Sequence, residues 1–312
     1  MADGRYVAID IGTVTCRMLI ADVIDGHVRE LAKEYAIVNL GEGVDATGLL
    51  SEAAMQRVSA VLERYLEVRK RFDTPDKPIL KTVTVATSAS RDAANAHEFA
   101  AMLAGHGLEL AVIPGSREAA LSYAGASSDF AGEPITVVDI GGGSTEVIVG
   151  VAGADPLLAH SFNVGCRRVT ERFLHADPPD DAELAQARAW IKSETSWLFE
   201  DVRVKGLELG RIVAVAGTAT SVVSMREKMA EYDSSRVHGA KVTLEELAEI
   251  TDMLCAASLV EREQVVGLDP KRAPVIVAGM LILQELLDLA GADGFTASES
   301  DILQGIVLDA AR

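Results

Sequence analysis

Cysteine is scarce: Cys16, Cys166 and Cys255 are the only three in 312 residues, and they lie far apart. No CxxC or Cys/His spacing joins them, so neither a disulfide framework nor a zinc site is readable. Three small hydrophobes in a reducing compartment are expected instead. Aromatic residues make up 4% of a chain that is 49% hydrophobic, so Ala, Val, Ile and Leu must build the core. That apolar content excludes a disordered chain, and the 26 glycines and 9 prolines are too few for collagen. No apolar run is expected to reach the ~18–20 residues of a membrane span. Met1 to Arg5 show no basic segment leading into an apolar stretch, so no signal peptide is expected, and the location predicted is cytoplasmic. Positive charge is also short. Against 47 acidic residues stand 29 Lys and Arg, a net charge of −18. Binding to nucleic acid or to an anionic membrane needs a basic face and is not expected. A small anionic substrate stays open, because backbone N–H groups and a few arginines can make one site locally positive.

The length suggests two domains at ~100–200 residues each. YVAIDI, 6–11, reads as a buried strand ending in Gly12, and TCRMLIADVI, 15–24, as the next strand. Asp25-Gly26 is a hairpin signal before a third strand, HVRELAKEYAIV. A Gly-rich loop at 41–48 leads to an amphipathic helix over 51–72, with Ser51 at its N-cap. Strands are predicted at 81–88 and 108–113, and helices at 92–104 and 116–127. The opening then recurs: ITVVDI, 135–140, ends in Gly141-Gly142-Gly143 and is followed by strands at STEVIVGVAG and 157–164. Helices follow near 166–174 and 181–200, then strand 211–217, helices at 218–230, 243–258 and 270–290, a short strand at 294–298 and a helix at 300–311. Strand–Asp-Ile-Gly–turn–strand thus occurs twice, the mark of an internal duplication. The expected fold class is α/β with mixed sheets, in two related lobes facing one cleft. The lobes are expected at 1–128, with helix 300–312 packing back on it, and at 129–299, with a boundary near 127–134.

Three turns follow buried strands and carry glycine with hydroxyl residues: Asp10-Ile-Gly-Thr-Val-Thr15, Asp139-Ile-Gly-Gly-Gly-Ser-Thr-Glu146 and Ala216-Gly-Thr-Ala-Thr-Ser221. Glycine lets backbone N–H groups approach a phosphate closely, and Ser and Thr hydroxyls add donors. The third turn opens a helix, whose first N–H groups favour anions. An Asp ahead of each of the first two turns suits a divalent cation, since magnesium takes one or two carboxylates plus waters and phosphate oxygens. No GxxxxGK[ST] is present, so this is not a P-loop protein.

These segments resemble the actin / sugar kinase / Hsp70 ATPase superfamily and, within it, the exopolyphosphatase and guanosine pentaphosphate phosphohydrolase family. The resemblance rests on AIDIGTVTCRMLIADV, VATSASRDAANAHEF, IPGSREAALSYAGA, VVDIGGGSTEVIVG, NVGCRRVTERFLHADPP, VAVAGTATSVVSM, VHG with VTLEEL, and GLDPKRAPVIVAGMLIL, in family order. It implies two actin-like (ribonuclease H-like) lobes. It also implies hydrolysis of a terminal phosphoanhydride, of inorganic polyphosphate or of pppGpp, with Mg²⁺ or another divalent cation. A homodimer is a further expectation.

By that resemblance Glu118 is the catalytic glutamate that takes a proton from the attacking water or orients it, and Arg91 neutralises phosphate oxygens. Asp139 and Glu146 hold magnesium or its water shell, with Asp10 as their counterpart. Gly142, Gly143, Ser144 and Thr145 cradle phosphate from one lobe, Thr13 and Thr15 from the other, and Gly217, Thr218 and Thr220 line the third turn. Taken singly, Glu118 also reads as a first-turn helix acid, Arg91 as half of an interlobe ion pair, and Asp10 as capping its own turn. Arg117 stands where many members carry an acid, which lowers local negative charge; Val14 replaces the family's usual Asn. Arg167, Arg168 and Arg172 read either as a lead-in track for a chain substrate or as solvated helix charges, and His238 as a loop histidine. Two other classes remain in view: an actin-like nucleotide-binding scaffold, and a phosphotransferase to a small acceptor.

Overall fold

The computed structural model describes residues 1–312. They form two compact units, Met1–Gly125 with Asp301–Arg312, and Ala126–Ser300.

Unit 1 begins with β1 (Gly4–Ile11), β2 (Thr15–Ile24) and β3 (His27–Ile37), continues through the short α1 (Val44–Thr47) and the long α2 (Glu52–Phe72), and then alternates β4 (Ile79–Ala86), α3 (Ser88–Asp92), α4 (Ala96–Gly105), β5 (Leu110–Val112) and α5 (Gly115–Ala126). Its sheet order is β3-β2-β1-β4-β5. The first three strands are antiparallel, while β4 runs parallel to β1 and β5 parallel to β4. Asp25 and Gly26 both take positive φ, 51° and 78°, as a two-residue hairpin matched to strand twist requires. Alternation along β1 divides the core. Val7, Ile9 and Ile11 face a cluster with Val58, Leu62 and Tyr65 of α2 and Phe99 of α4. Tyr6 and Ala8 face the other side, with Leu19 and Ala21 of β2. Ser51 caps α2 by accepting from the Ala54 N–H at 3.2 Å.

Asp22 on β2 accepts from Arg5 Nε at 2.8 Å and from Arg29 Nη2 at 2.7 Å. The Arg5 hydrogen bond, more than Arg29, holds its carboxyl below the usual range. A depressed folded pKa gives stability that is present above the unfolded value of about 3.9 and is lost as pH falls through the folded one. Asp22→Asn is therefore expected to cost about 1 kcal/mol at pH 7, allowing for solvent screening at the exposed Arg29. The gap to wild type should close once both are measured below the folded pKa. Urea midpoints at neutral and strongly acid pH check this; an undiminished gap in acid refutes it.

Unit 2 contains β6 (Pro134–Ile140), β7 (Thr145–Val151), β8 (Leu158–Phe162), α6 (Cys166–Phe173), α7 (Asp181–Lys205), β9 (Arg211–Val215), α8 (Ala216–Arg226), α9 (Ser234–Val237), β10 (Lys241–Thr243), α10 (Leu244–Ala256), α11 (Leu259–Arg262), α12 (Ala273–Ala290) and β11 (Gly294–Ala297). The sheet order is β10-β11-β9-β6-β7-β8. Read from β8 to β11 this repeats unit 1 strand for strand, with β10 added antiparallel at the edge. Both sheets are thus mixed and carry the same ribonuclease H-like order. The chain then returns to unit 1 as α13 (Ile302–Ala310), whose Ile302, Leu303, Ile306 and Val307 cover the Tyr6–Ala8 face. α13 crosses α5 at two glycines. A Cβ on Gly125 would lie 1.8 Å from the Asp301 carbonyl oxygen, and one on Gly305 1.9 Å from that of Leu121.

Several sequence expectations change. The segment Pro270–Ala290 is long and apolar enough to cross a membrane by length and composition, with a mean hydropathy of 1.7, contrary to the reading of no such run. Its only acids, Glu285 and Asp288, sit near one end, and Ile276, Met280 and Leu283 are buried in unit 2. Arg91, between a strand expected to end at 88 and a helix expected to start at 92, lies on a separate short helix, α3. The third glycine turn opens a helix as expected, but the helix starts earlier than 218: Ala216 takes φ 62° and turns β9 directly into α8, so Gly217 and Thr218 lie inside its first turn.

Candidate active site

In unit 1 the first turn closes with the Gly12 N–H donating to the Thr15 carbonyl at 2.8 Å. The strands then zip with Ile11 opposite Cys16 and Asp10 opposite Arg17. The carbonyls of the turn are taken from the segment after β3: Thr13 O by the Gly41 N–H, and Val14 O by the N–H groups of Val38 and Asn39, each at 2.9 Å. Val14 itself is buried, so the isopropyl group that replaces the family's Asn packs into the protein. Thr13 is buried and Thr15 half-buried.

Asp10 is 3% exposed. Its Oδ2 accepts from Arg17 Nη2 at 2.6 Å and Nε at 3.2 Å, and Arg17 Nη1 donates onward to Asp301 Oδ2. Asp301 also caps α13, accepting from the Leu303 N–H at 2.9 Å. Asp10 Oδ1 is buried with no hydrogen-bond partner. Burial raises the Asp10 carboxyl above its ordinary range, the Arg17 guanidinium opposes that, and Asp301 adds to it.

The second element of unit 1 is an ion pair. Arg91, on α3, donates through Nη1 to Glu118 Oε2 at 2.6 Å and to the Ile113 carbonyl at 3.0 Å. Glu118 is 8% exposed, in the first turn of α5. A carboxylate there is favoured by the helix dipole, and the guanidinium fixes its rotamer. Glu118 is thus a first-turn helix acid, whereas the ion pair of Arg91 lies within unit 1 rather than between the lobes, and it joins the two predicted catalytic residues to each other. The Arg117 guanidinium pairs with Asp309 of α13.

Unit 2 repeats the turn. The Gly141 N–H donates to the Ser144 carbonyl at 2.9 Å, Ile140 lies opposite Thr145, and Asp139 opposite Glu146. Its carbonyls are taken by the start of α6: Gly141 O by the Cys166 N–H at 2.9 Å, Gly142 O by those of Arg167 at 2.9 Å and Arg168 at 3.2 Å. Gly143 O accepts from Arg168 Nε at 3.0 Å. In a trans peptide the C=O and the following N–H point in opposite directions. The N–H groups of Gly142, Gly143 and Ser144 therefore face away from α6, on one side of the turn. That is the convergent donor set an anion needs. Thr145 is not part of it, because its hydroxyl is fully buried and donates to the Val164 carbonyl at 2.5 Å.

The two hairpins differ in the residue opposite the acid. Where unit 1 places Arg17 opposite Asp10, unit 2 places Glu146 opposite Asp139. Asp139 and Glu146 are 6% and 1% exposed, and Glu146 accepts from Ser161 Oγ at 2.6 Å. Two buried carboxylates on neighbouring strands repel unless a cation or proton is shared. Their oxygen-only donors suit a hard divalent cation that fills its shell with water and phosphate oxygens. Asp10 is their expected counterpart; here Arg17 stands in the place of Glu146 and pairs with Asp10 Oδ2, which leaves Oδ1 as the oxygen without a hydrogen-bond partner.

At the third turn Thr218 is buried against α12, its Oγ1 2.6 Å from where a Cβ on Gly279 would stand, so its hydroxyl serves helix packing. Gly217 lies under Arg272, and a Cβ there would meet Nη1 at 2.0 Å. Sequence reasoning missed Arg272. Only its place in GLDPKRAP marked it, and its use depends on a glycine in α8. It is 7% exposed, and its charge works against the burial that raises the Cys166 thiol at the start of α6. Of the other arginines, Arg167 pairs with Glu171 at 3.1 Å and Arg172 stacks on Trp190 with its carbon 5.2 Å from the ring centre. His238 lies 3.7 Å from Asp129 at the surface.

The fold and these turns define a class first: a duplicated α/β protein with a glycine turn beside an acid at the same strand ends of both sheets. The chain belongs to the Ppx/GppA phosphatase family, which it matches over residues 19–311. It is 38% identical over 328 residues to exopolyphosphatase 2 of Mycobacterium tuberculosis, covering 100% of both chains. It is 29% identical over 306 residues to the guanosine-5'-triphosphate,3'-diphosphate pyrophosphatase of Aeromonas hydrophila, covering 97% of this chain and 58% of that one. Among solved structures, an exopolyphosphatase-like protein superposes with a TM-score of 0.90 at 31% identity, covering 99% of this chain and 98% of the other.

Proposed function

We propose that this protein hydrolyses the terminal phosphoanhydride of inorganic polyphosphate and releases orthophosphate. The observation that carries this reading is the buried Glu118 carboxylate held by Arg91 at 2.6 Å. Phosphoanhydride hydrolysis asks a protein mainly for positioning and charge neutralisation. Glu118 orients the attacking water and accepts its proton. Arg91 fixes the Glu118 rotamer and adds positive charge toward the terminal phosphate. The N–H groups of Gly142, Gly143 and Ser144 take phosphate oxygens, supported by Thr13 and Thr15 in the first turn and Gly217 in the third. Asp139 and Glu146 are the residues to hold Mg²⁺, which when bound screens the charge of the phosphate oxygens. Hydrolysis of pppGpp is the second reading. It rests on the pyrophosphatase relative, and it presents the same terminal anhydride.

Phosphate release by the purified protein with Mg²⁺ tests the proposal, comparing short and long polyphosphate, pppGpp and ATP. Release from polyphosphate ahead of pppGpp and ATP supports it; binding of ATP without release from any substrate refutes it. The metal assignment has its own readout. Mn²⁺ titrated by electron paramagnetic resonance is expected to bind Glu146→Gln at least roughly tenfold more weakly than wild type. Asp10→Asn should bind it unchanged, and equal weakening by both substitutions counts against the assignment.

A further inference from the structure

Each of the two glycine turns is braced from behind, through its carbonyls, by the segment after the third strand of its sheet. Alignment of the hairpins pairs Gly12 with Gly141, Thr13 with Gly142 and Val14 with Gly143. The donors lie just after β3 in unit 1, at Val38, Asn39 and Gly41, and at the start of α6 in unit 2, at Cys166, Arg167 and Arg168. The third carbonyl is handled differently. Val14 O accepts two backbone N–H groups, whereas Gly143 O accepts from a side chain, Arg168 Nε at 3.0 Å.

The difference falls at a glycine. Gly143 has no Cβ, so the peptide between it and Ser144 is easily rotated. A half-turn of that peptide would replace the Ser144 N–H by the Gly143 carbonyl on the open side of the turn. A donor toward phosphate would become an acceptor that repels it. We propose that Arg168 is a positioning residue that holds this peptide with its N–H on the open side. The inference rests on the reading that this turn receives phosphate. A charged donor on the carbonyl also polarises the peptide and strengthens its N–H as a donor. Arg168 is thereby neither a lead-in track for substrate nor a purely solvated charge.

Two substitutions separate hydrogen bond from charge. In Arg168→Gln the amide nitrogen stands the same number of bonds from Cα as Arg Nε, so the donor is kept and the charge removed. In Arg168→Met a methyl group takes that place. Hydrogen–deuterium exchange without ligand should be faster over 139–148 in Arg168→Met and close to wild type in Arg168→Gln. With polyphosphate, Arg168→Met should lose about a hundredfold in kcat/KM, the scale of one misplaced oxyanion donor. Arg168→Gln should stay within about threefold, and both should melt near the wild-type temperature, as surface-helix changes usually do. Equal impairment of the two variants, or unchanged exchange in Arg168→Met, overturns the proposal. If wild type releases no phosphate, the hydrolase reading alone fails and the exchange comparison still decides the role of Arg168.

Discussion

Glu118→Gln is expected to reduce phosphate release from polyphosphate by about a hundredfold to ten-thousandfold, the range of a lost general base. The substitution keeps size and shape, and its amide carbonyl still accepts from Arg91 Nη1, so the first turn of α5 should hold. What disappears is the proton acceptor and the charge that balances a guanidinium 2.6 Å away. The loss should fall on kcat, with KM within a few-fold, because in the proposed role Glu118 acts on the water and not on the bound phosphate chain. Arg91→Met offers the complementary measurement. It removes the guanidinium 2.6 Å from the buried Glu118 carboxylate, which destabilises as well as slows. Steady-state rates combined with thermal melts separate the two effects. A Glu118→Gln enzyme that keeps its rate within about threefold would falsify the assignment of Glu118 as the base.

Gly165→Ala should be nearly as damaging for a different reason. A Cβ at Gly165 would lie 2.4 Å from the Gly142 carbonyl carbon and oxygen and from the Gly143 nitrogen. Those are backbone atoms, so the turn itself must move, and the donors of Gly142, Gly143 and Ser144 move with it. Misplacing such donors costs about a hundredfold or more in rate, and overpacking of this kind costs about 1–3 kcal/mol in stability. Gly41→Ala is the internal control. The nearest atom there is Thr13 Cγ2 at 2.3 Å, a side-chain methyl that can rotate away. Its rate loss should be much the smaller of the two. Equal losses in the paired variants would mean that the second turn is no more rigidly placed than the first.

The strand hairpins were legible because alternation, Asp-Gly and Asp-Ile-Gly each act locally, and the duplication they suggested is borne out by the matching sheet orders. Glu118 and Arg91 were legible only through family resemblance. A first-turn glutamate and an arginine on a short helix have no local signature of catalysis. Arg17 and Asp301 were invisible as partners because 284 residues separate them, and only the register of β1 and β2 shows that Arg17 stands where the second hairpin has Glu146. Arg272 escaped for the same reason, its place being set by packing against Gly217. Thr145 and Thr218 looked like phosphate ligands because composition does not tell which way a hydroxyl turns. Burial did, by handing one to Val164 and packing the other against Gly279.

The return of α13 to unit 1 has a consequence for how the chain matures on the ribosome. Residues 126–300 are synthesised without interruption, so every strand of the second sheet is available before residue 301 appears. The first sheet is in the opposite position. Its strands are made earliest, yet Tyr6, Ala8, Leu19 and Ala21 must wait for Ile302, Leu303, Ile306 and Val307 to cover them. Asp10 and Arg17 wait as well, since Asp301 belongs to the same late segment. The unit synthesised first is therefore the one completed last, and during translation its uncovered face is the part of the chain most exposed to chaperones and to aggregation.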